Sequence, residues 1–333
     1  MSTRKAILHI GSHKTGTTAI QHALSVNRNS LKKQGYFFPR SCEWPHDHSH
    51  NLLAFSMINW KKTGERLMFD SQLKELEDEI LDNNNLNMIF SSEMLEKLVI
   101  STPDLLVEFL HMLKKYFDEI NIIYCMRDEI SHCNSVFKQH VQGNVFKGTP
   151  KDFVEKFKYK FDFLNIALLW RNTNLIKNID SFWYSENYDD NFILFSRIIG
   201  LNPAITNHGI LNKSLNGKLL ELKLALNKNI INQDQNNFIT NEFRHLFNKL
   251  DQGWQIPKTI FDECLQKEFM KYYSTIDYSN QQIMKIHNNK TISNNTLPSL
   301  QTIDRETAIL YANDLSNLGH KHLAKFILDI LSA

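Results

Sequence analysis

The sequence predicts an α/β fold in which helices cover both faces of a central parallel sheet and a helical extension follows. Three observations predict it. Short apolar stretches alternate with stretches of helical spacing as far as Gly200. The first apolar stretch leads through a glycine-containing loop directly into a helical stretch. Beyond about Asn212 the apolar spacing is helical only, and the connecting segments are rich in asparagine.

Five stretches rich in apolar and aromatic residues predict the strands: residues 6–10, 35–39, 86–93, 120–128 and 181–187. Four stretches with helical spacing lie between or after them: residues 17–33, 69–81, 103–117 and 190–201. No strand is predicted after Gly200. Because strands that alternate with helices pair in parallel, we expect three layers with the sheet in the middle.

We divide the chain at residue 214. Residues 1–214 are predicted to form the α/β core, and residues 215–333 a helical extension packed on that core. The end of the extension, from Asp304 onward, predicts two helices separated near Gly319.

Length, charge and cysteine content exclude several classes of protein. The 333 residues are 42% hydrophobic, enough for a large core, and the formal net charge is only +2. We therefore expect no nucleic acid partner, and any anion site is local. The cysteines lack the pair spacing of a zinc site and are too sparse for a disulfide framework. No apolar run is long enough for a signal peptide or a membrane span, so we expect a cytoplasmic protein.

The first predicted strand leads into GSHKTGTT, a candidate anion-binding loop. Gly11 and Gly16 have the spacing of a Walker A loop, but Thr17 stands where that loop has its lysine. A loop between a strand and a helix directs backbone N–H groups and the positive end of the helix dipole at one spot. The sequence therefore predicts a P-loop NTPase-like fold whose anion is bound by Lys14, Thr15, Gly16, Thr17 and Thr18.

The KTGTT segment resembles the 5′-phosphosulfate-binding loop of bacterial sulfotransferases that use 3′-phosphoadenosine 5′-phosphosulfate (PAPS). The resemblance implies that Lys14 lies beside the bond between phosphate and sulfate and stabilises charge on the bridging oxygen as sulfate leaves. It also implies PAPS as the sulfate donor and no metal ion. The resemblance covers most of residues 5–285, with its specific motifs in two short segments.

The second segment is IIYCMRDEISHCNSVF, where Arg127 closes a strand and Ser135 follows eight residues later. The resemblance implies that this pair holds the 3′-phosphate of PAPS, and a guanidinium fork suits phosphate. The alternative for Arg127 is a salt bridge with an acidic neighbour such as Asp128. The late Arg-Lys-Gly motif of the vertebrate cytosolic relatives is absent, and Lys213 is the residue nearest to a substitute.

Transfer to a hydroxyl needs a base, for which Glu93 is our candidate. It follows the third predicted strand, at the edge where open α/β sheets bind ligands. The resemblance supports this position with a glutamate or a histidine. His50, which opens the helical stretch HNLLAFSMI, stays a second candidate for the base. In the alternative interpretation Ser91 or Ser92 caps the next helix and Glu93 lies in its first turn without any catalytic role.

Three histidines on alternate residues, His46, His48 and His50, form a segment that could bind a metal. No carboxylate or cysteine set at ligand spacing accompanies them, so we interpret the segment as a polar loop.

The resemblance implies a sulfotransferase that moves the sulfuryl group from PAPS to a hydroxyl-bearing acceptor, a carbohydrate such as a polysaccharide or glycan, or another small metabolite. The second product is adenosine 3′,5′-bisphosphate (PAP). Two alternatives stay open at this point: an ATP-dependent kinase of the same fold, and a non-catalytic relative that binds a nucleotide or a polymer. Neither the acceptor nor the oligomeric state is indicated by the sequence.

Overall fold

The computed structural model of the chain describes residues 3–44, 47–157, 162–185, 188–202, 217–230, 232–250, 284–287 and 303–332. Contacts divide the chain into two compact units. The first unit comprises Met1–Asp128, Asp162–Leu211 and Asp277–Ile292, and the second comprises Glu129–Phe161, Asn212–Ile276 and Ser293–Ala333. The predicted boundary between residues 214 and 215 falls outside the described residues and stays a prediction.

The first unit is built on a parallel sheet with its strands in the order β2-β3-β1-β4-β5-β6. The strands are β1 (Lys5–His9), β2 (Tyr36–Phe37), β3 (Asn87–Ser91), β4 (Glu119–Met126), β5 (Asn178–Trp183) and β6 (Lys285–Ile286). The predicted α/β fold with a central parallel sheet is confirmed, and each of the five predicted strands is present.

The sixth strand corrects the prediction that the sheet ends before Gly200. β6 pairs in parallel with β5 through Asp180 and Ser181. A strand of two residues is too short to leave a periodic pattern in the sequence, which is why the pattern did not indicate it.

Helices cover both faces of this sheet. They are α1 (Thr17–Val26), α2 (Arg28–Lys33), α3 (Asn51–Thr63), α4 (Leu67–Asp82), α5 (Leu95–Ser101), α6 (Pro103–Lys114), α9 (Phe163–Arg171) and α10 (Tyr188–Ile199). Leu8 of β1 packs in one core cluster with α3, α4, α5, α6 and α9, whereas its neighbour Ile7 packs in another with α1, α2 and α10. Successive side chains of a strand point to opposite faces, so the unit has the three predicted layers. The predicted helix over residues 17–33 is interrupted at Asn27.

The second unit is helical in its described part. Its helices are α7 (Glu129–Gln142), α8 (Pro150–Phe157), α11 (Gly217–Leu226), α12 (Gln233–Leu250), α13 (Arg305–Asn317) and α14 (Lys321–Ser332). They enclose one apolar cluster of their own. The division into residues 1–214 and 215–333 stays a prediction. The helices α7 and α8 belong to the second unit although they come from the part assigned to the core, and β6 belongs to the first unit although it comes from the part assigned to the extension. Within the described residues of both units, no helix has the length and apolar content that crossing a bilayer requires.

The strand order identifies the edge of the sheet at which a ligand binds. β1 lies in the middle, between β3 and β4. The connection after β1 leads to β2 on one side, and the connection after β4 leads to β5 on the other. Open α/β sheets bind ligands in the crevice at the carboxyl ends of strands where the connections diverge in this way. The crevice lies between the residues that follow β1 and β4.

Candidate functional site

The predicted anion loop lies in this crevice and is tied to β4 by its backbone. The amide of Ile10 donates to the carbonyl of Ile123 at 3.0 Å, and the amide of Ser12 donates to the carbonyl of Cys125 at 3.3 Å. The loop then turns sharply, since Lys14 has φ 69° and Gly16 has φ 76°. Left-handed backbone is costly for a lysine and costs a glycine nothing, so surrounding contacts must hold Lys14 in place.

Thr15 is buried and stabilises the loop by two hydrogen bonds. Its hydroxyl donates to the carbonyl of Ser12 at 2.6 Å, while its own carbonyl accepts from the thiol of Cys125 at 3.2 Å. Burial raises the pKa of Cys125 to about 12, so this thiol stays protonated and remains a donor. In this structure Thr15 supports the loop through its side chain, which leaves only its backbone amide to contact an anion.

The loop ends at the first turn of α1, where no acidic side chain would repel a bound anion. Gly16 is the N-cap and makes no side-chain capping bond, and the first turn of α1 contains no acidic residue. Thr17 is buried and Thr18 is half-buried. Because the first N–H groups of a helix have no partner within the helix, this end can accept an anion at the positive end of the helix dipole.

Gly16 is required at its position by a close neighbour as well as by its backbone conformation. A Cβ added to Gly16 would lie 3.0 Å from a ring carbon of Tyr184, which follows β5. The guanidinium of Arg127 lies over the same ring in a cation–π contact, with Cζ 4.7 Å from the ring centroid. The loop, the end of β4 and the end of β5 therefore meet at one point.

Arg127 joins the two predicted motifs. Its Nη1 donates to the carbonyl oxygen of Lys14 at 2.9 Å. Its Nε is buried and has no hydrogen-bond partner in the part of the chain that the structure describes. The sequence predicted both residues as ligands of one nucleotide, but it did not indicate that the arginine also holds the lysine's peptide group.

Ser135, the predicted partner of Arg127, lies half-buried on α7 in the second unit. Its role at the 3′-phosphate stays a prediction. Lys213 lies outside the described residues.

Glu93 lies beside the loop and is held by two amides. Its Oε2 accepts from Nε2 of Gln21 on α1 at 3.0 Å, and its Oε1 accepts from Nδ2 of Asn51 on α3 at 3.1 Å. The Nδ1 atom of His13, a loop residue, lies 3.8 Å from Oε1. Only 12% of the Glu93 side chain is exposed. The carboxylate is thus oriented by neighbouring elements and keeps free lone pairs, since each of its oxygens can accept more than one hydrogen bond.

The alternative in which a serine caps the next helix is wrong. α5 begins at Leu95, its N-cap is Met94, and no side chain caps it. The hydroxyl of Ser91 lies 2.8 Å from Nδ1 of His9, and the hydroxyl of Ser92 donates to Oδ1 of Asn51 at 2.5 Å. Glu93 therefore precedes the helix, and the two serines are engaged elsewhere.

His50, the second candidate base, has both ring nitrogens engaged. The amide of Ser91 donates to Nδ1 at 2.9 Å, which makes Nε2 the protonated nitrogen that donates to the carbonyl of Pro39 at 3.0 Å. The side chain is fully buried, and burial lowers the pKa of His50 to about 4 against the opposing effect of the Pro39 carbonyl. This geometry assigns His50 to the support of β3, where it stacks on Phe90, and leaves no nitrogen for an acceptor hydroxyl.

A buried carboxylate beneath the loop was not predicted. Glu96 on α5 is 1% exposed and accepts from the hydroxyls of Ser12 and Tyr124, the latter at 2.7 Å. Burial, together with this carboxylate, raises the pKa of Tyr124, so the phenol stays a donor. Glu96 lies three residues after Glu93, yet nothing in the pattern distinguished it from an exposed helix residue.

The predicted metal-free site stays a prediction. Among the described residues, no group of three histidine, cysteine, aspartate or glutamate side chains is arranged to hold a metal ion. Of the alternating histidines, His46 lies outside those residues, and Nδ1 of His48 lies 2.5 Å from a carboxylate oxygen of Glu43.

Comparisons with known proteins give structural similarity alone. No protein-family model and no curated protein matched the sequence. Among solved structures, a sulfotransferase from Alicyclobacillus acidocaldarius is similar at 8% identity and a TM-score of 0.42, over 75% of this chain and 98% of that one. A chain of the PezAT chromosomal toxin-antitoxin system of Streptococcus pneumoniae is similar at 14% identity and a TM-score of 0.32, over 74% and 88%. At these values neither similarity is an argument about what this chain binds.

Proposed function

We propose that the protein is a PAPS-dependent sulfotransferase that transfers the sulfuryl group to a hydroxyl of a carbohydrate or another small metabolite and releases PAP. The contact between Nη1 of Arg127 and the carbonyl of Lys14 carries the proposal. This hydrogen bond joins a residue of each of the two segments that resemble the PAPS site. A kinase-type Walker A loop would instead have its lysine at position 17, where this chain has threonine.

The loop and the start of α1 suit the 5′ end of the donor. The backbone N–H groups that begin α1, the hydroxyls of Thr17 and Thr18 and the charge of Lys14 would bind the phosphosulfate there. Gly11 lets the loop pass close to α1 and β4, since a Cβ at that position would lie 2.8 Å from a methyl group of Thr17 and 3.1 Å from Cβ of Cys125. Arg127 would bind the 3′-phosphate, because its buried Nε has no hydrogen-bond partner among the described residues and is a donor that such a ligand can satisfy.

Glu93 is the proposed base. As the acceptor oxygen forms its bond to sulfur, its proton passes to the carboxylate of Glu93, and the bond from sulfur to the bridging oxygen breaks. Lys14 stabilises the negative charge that develops on this departing oxygen. The amides of Gln21 and Asn51 fix the carboxylate in advance, so little reorganisation is needed during transfer.

Transfer of labelled sulfate tests the proposal. The protein is incubated with PAPS labelled in its sulfate and with extracts of candidate polysaccharides and metabolites, and the labelled product is identified. We expect label to appear in an acceptor only when the intact protein is present. The amount of labelled product should equal the amount of PAP released. Absence of transfer across a broad panel, with PAP still bound tightly, would favour the non-catalytic alternative.

A further inference from the structure

A second polar cleft lies in the first unit, apart from the proposed donor site. It is lined by Ser25, Arg28, Arg40, Glu43 and His48 and has a volume of about 400 Å³. This volume is within the range of roughly 300 to 1,000 Å³ that is common for small-ligand sites. We propose that the cleft binds an anionic substituent, a carboxylate or a sulfate ester, of a sugar acceptor and that Arg40 is its ligand. The inference rests on the proposed sulfotransferase function.

Two chain segments connect the cleft to Glu93. On α1, Gln21 binds the Glu93 carboxylate, and Ser25 lines the cleft one helical turn later on the same side of the helix. His48 lines the cleft just before α3, and Asn51, three residues on at the start of α3, binds Glu93. The same two segments therefore position both the proposed base and the cleft, so one acceptor with several sugar units can contact both.

The cleft's own acidic group is neutralised by its neighbours. Nη2 of Arg28 lies 2.9 Å from Glu43, and these side chains are 13% and 14% exposed. The Glu43 carboxylate is also in contact with His48, which is 39% exposed. Burial opposes ionisation of Glu43, but the hydrogen bond with His48 and the charge of Arg28 together lower its pKa. Glu43 is thus a paired carboxylate, and Arg28 is occupied in holding it.

Arg40 supplies the positive charge that remains. Its side chain is exposed, and its guanidinium makes no hydrogen bond or ion pair with any residue that the structure describes. Its backbone is fixed, because the amide donates to Oε2 of Glu79 at 2.9 Å. With two arginines and one glutamate, the cleft has a net charge of +1 when His48 is neutral. A guanidinium on a fixed backbone suits a carboxylate or a sulfate, both of which can accept two parallel hydrogen bonds.

Three oligosaccharide probes separate the possible ligands. They are a hexuronate oligosaccharide, the same oligosaccharide with its carboxyl groups reduced to alcohols, and the reduced form carrying O-sulfate. Affinity is measured by calorimetry at physiological ionic strength for the wild type, Arg40→Gln and Arg197→Gln. Arg197 is the matched control because it is an exposed arginine of α10 that does not line the cleft. PAP-dependent melting is recorded in parallel.

We expect one or both anionic probes to bind at least about tenfold more tightly than the neutral probe, and we expect Arg40→Gln, but not Arg197→Gln, to remove the difference. The anionic probe that binds more tightly identifies the carboxylate or the sulfate ester as the group recognised. Equal affinity for all three probes, binding of none, or an equal effect of both variants overturns the inference. The proposed function fails separately, if PAP stabilises the protein no more than ADP does, because the probe comparison needs no nucleotide.

Discussion

Arg127 donates from Nη1 to the carbonyl oxygen of Lys14 at 2.9 Å, across the crevice between the ends of β4 and β1. Lys14 has a left-handed backbone with φ 69°, which persists only where surrounding contacts maintain it. The proposed ligand of the 3′-phosphate is therefore also a support of the loop for the 5′ end. The two roles are separable, because only PAP and PAPS carry a 3′-phosphate.

Replacing Arg127 tests this double role. We expect Arg127→Ala to weaken PAP binding by roughly tenfold or more, since a hydrogen bond to a charged group is worth about 1.5 to 3 kcal/mol. ADP binding should weaken less, through the loosened loop alone. Arg127→Lys keeps the charge but loses the planar fork and should fall between the two. Calorimetric titration of each variant with both nucleotides measures the difference. An equal loss for PAP and ADP would leave Arg127 as a loop support only.

Replacing Glu93 tests the base. Glu93→Gln keeps the shape and removes the basic oxygen, so we expect kcat to fall by roughly 10² or more. PAP affinity should stay within about twofold, because the acceptor hydroxyl, not the nucleotide, is the group that Glu93 contacts in this mechanism. Glu65→Gln, at an exposed position, is the control and should leave both quantities unchanged. Near-normal turnover of Glu93→Gln would assign this residue to binding or folding.

The fold and the loop were open to prediction, whereas the supporting contacts were not. Apolar periodicity indicated β1, β3, β4 and β5, and the strand, loop and helix order placed Lys14 beside α1. The structural roles of Glu96 and His50 could not be predicted from the sequence. Their roles depend on burial and on partners distant in the chain, such as Tyr124 for Glu96, and no local pattern records these.

The buried imidazole of His50 predicts a dependence of stability on pH. Its folded pKa of about 4 lies below the ordinary value of 6.5, so between these values the unfolded chain binds a proton that the folded chain does not. The free energy of unfolding should therefore decrease as pH falls through this range. His50→Gln, which does not titrate, should reduce that slope, while His9, with a pKa lowered to about 3 by burial, maintains part of it.

Denaturant titrations at several pH values measure this slope. Turnover of the folded His50→Gln variant should stay close to that of the wild type, because both ring nitrogens serve the fold. A large loss of kcat at unchanged stability would contradict the structural role of His50.

The buried amine of Lys223, in the second unit, predicts a dependence of the free energy of unfolding on pH at alkaline pH. This lysine is fully buried on α11, where its Nζ donates to the carbonyl of Val141 and to Asn227, and burial lowers its pKa from 10.5 to about 7. Between these values the unfolded chain binds more protons, so the free energy of unfolding should increase as pH rises from about 7 toward 10.5. Lys223→Met should lose this increase, whereas Lys228→Met, at an exposed position of the same unit, should retain it. Identical pH profiles for both variants would contradict the burial of a neutral amine.

The most direct measurement of the central claim is the affinity of the wild type for PAP, for ADP and for ATP with and without magnesium. Calorimetric titration at one ionic strength gives all the dissociation constants. We predict that PAP binds at least about tenfold more tightly than ADP, without any need for magnesium, because the proposed role of Arg127 is to bind a phosphate that only PAP carries. Equal affinity for PAP and ADP would contradict it. Tighter, magnesium-dependent binding of ATP would contradict it in favour of a kinase.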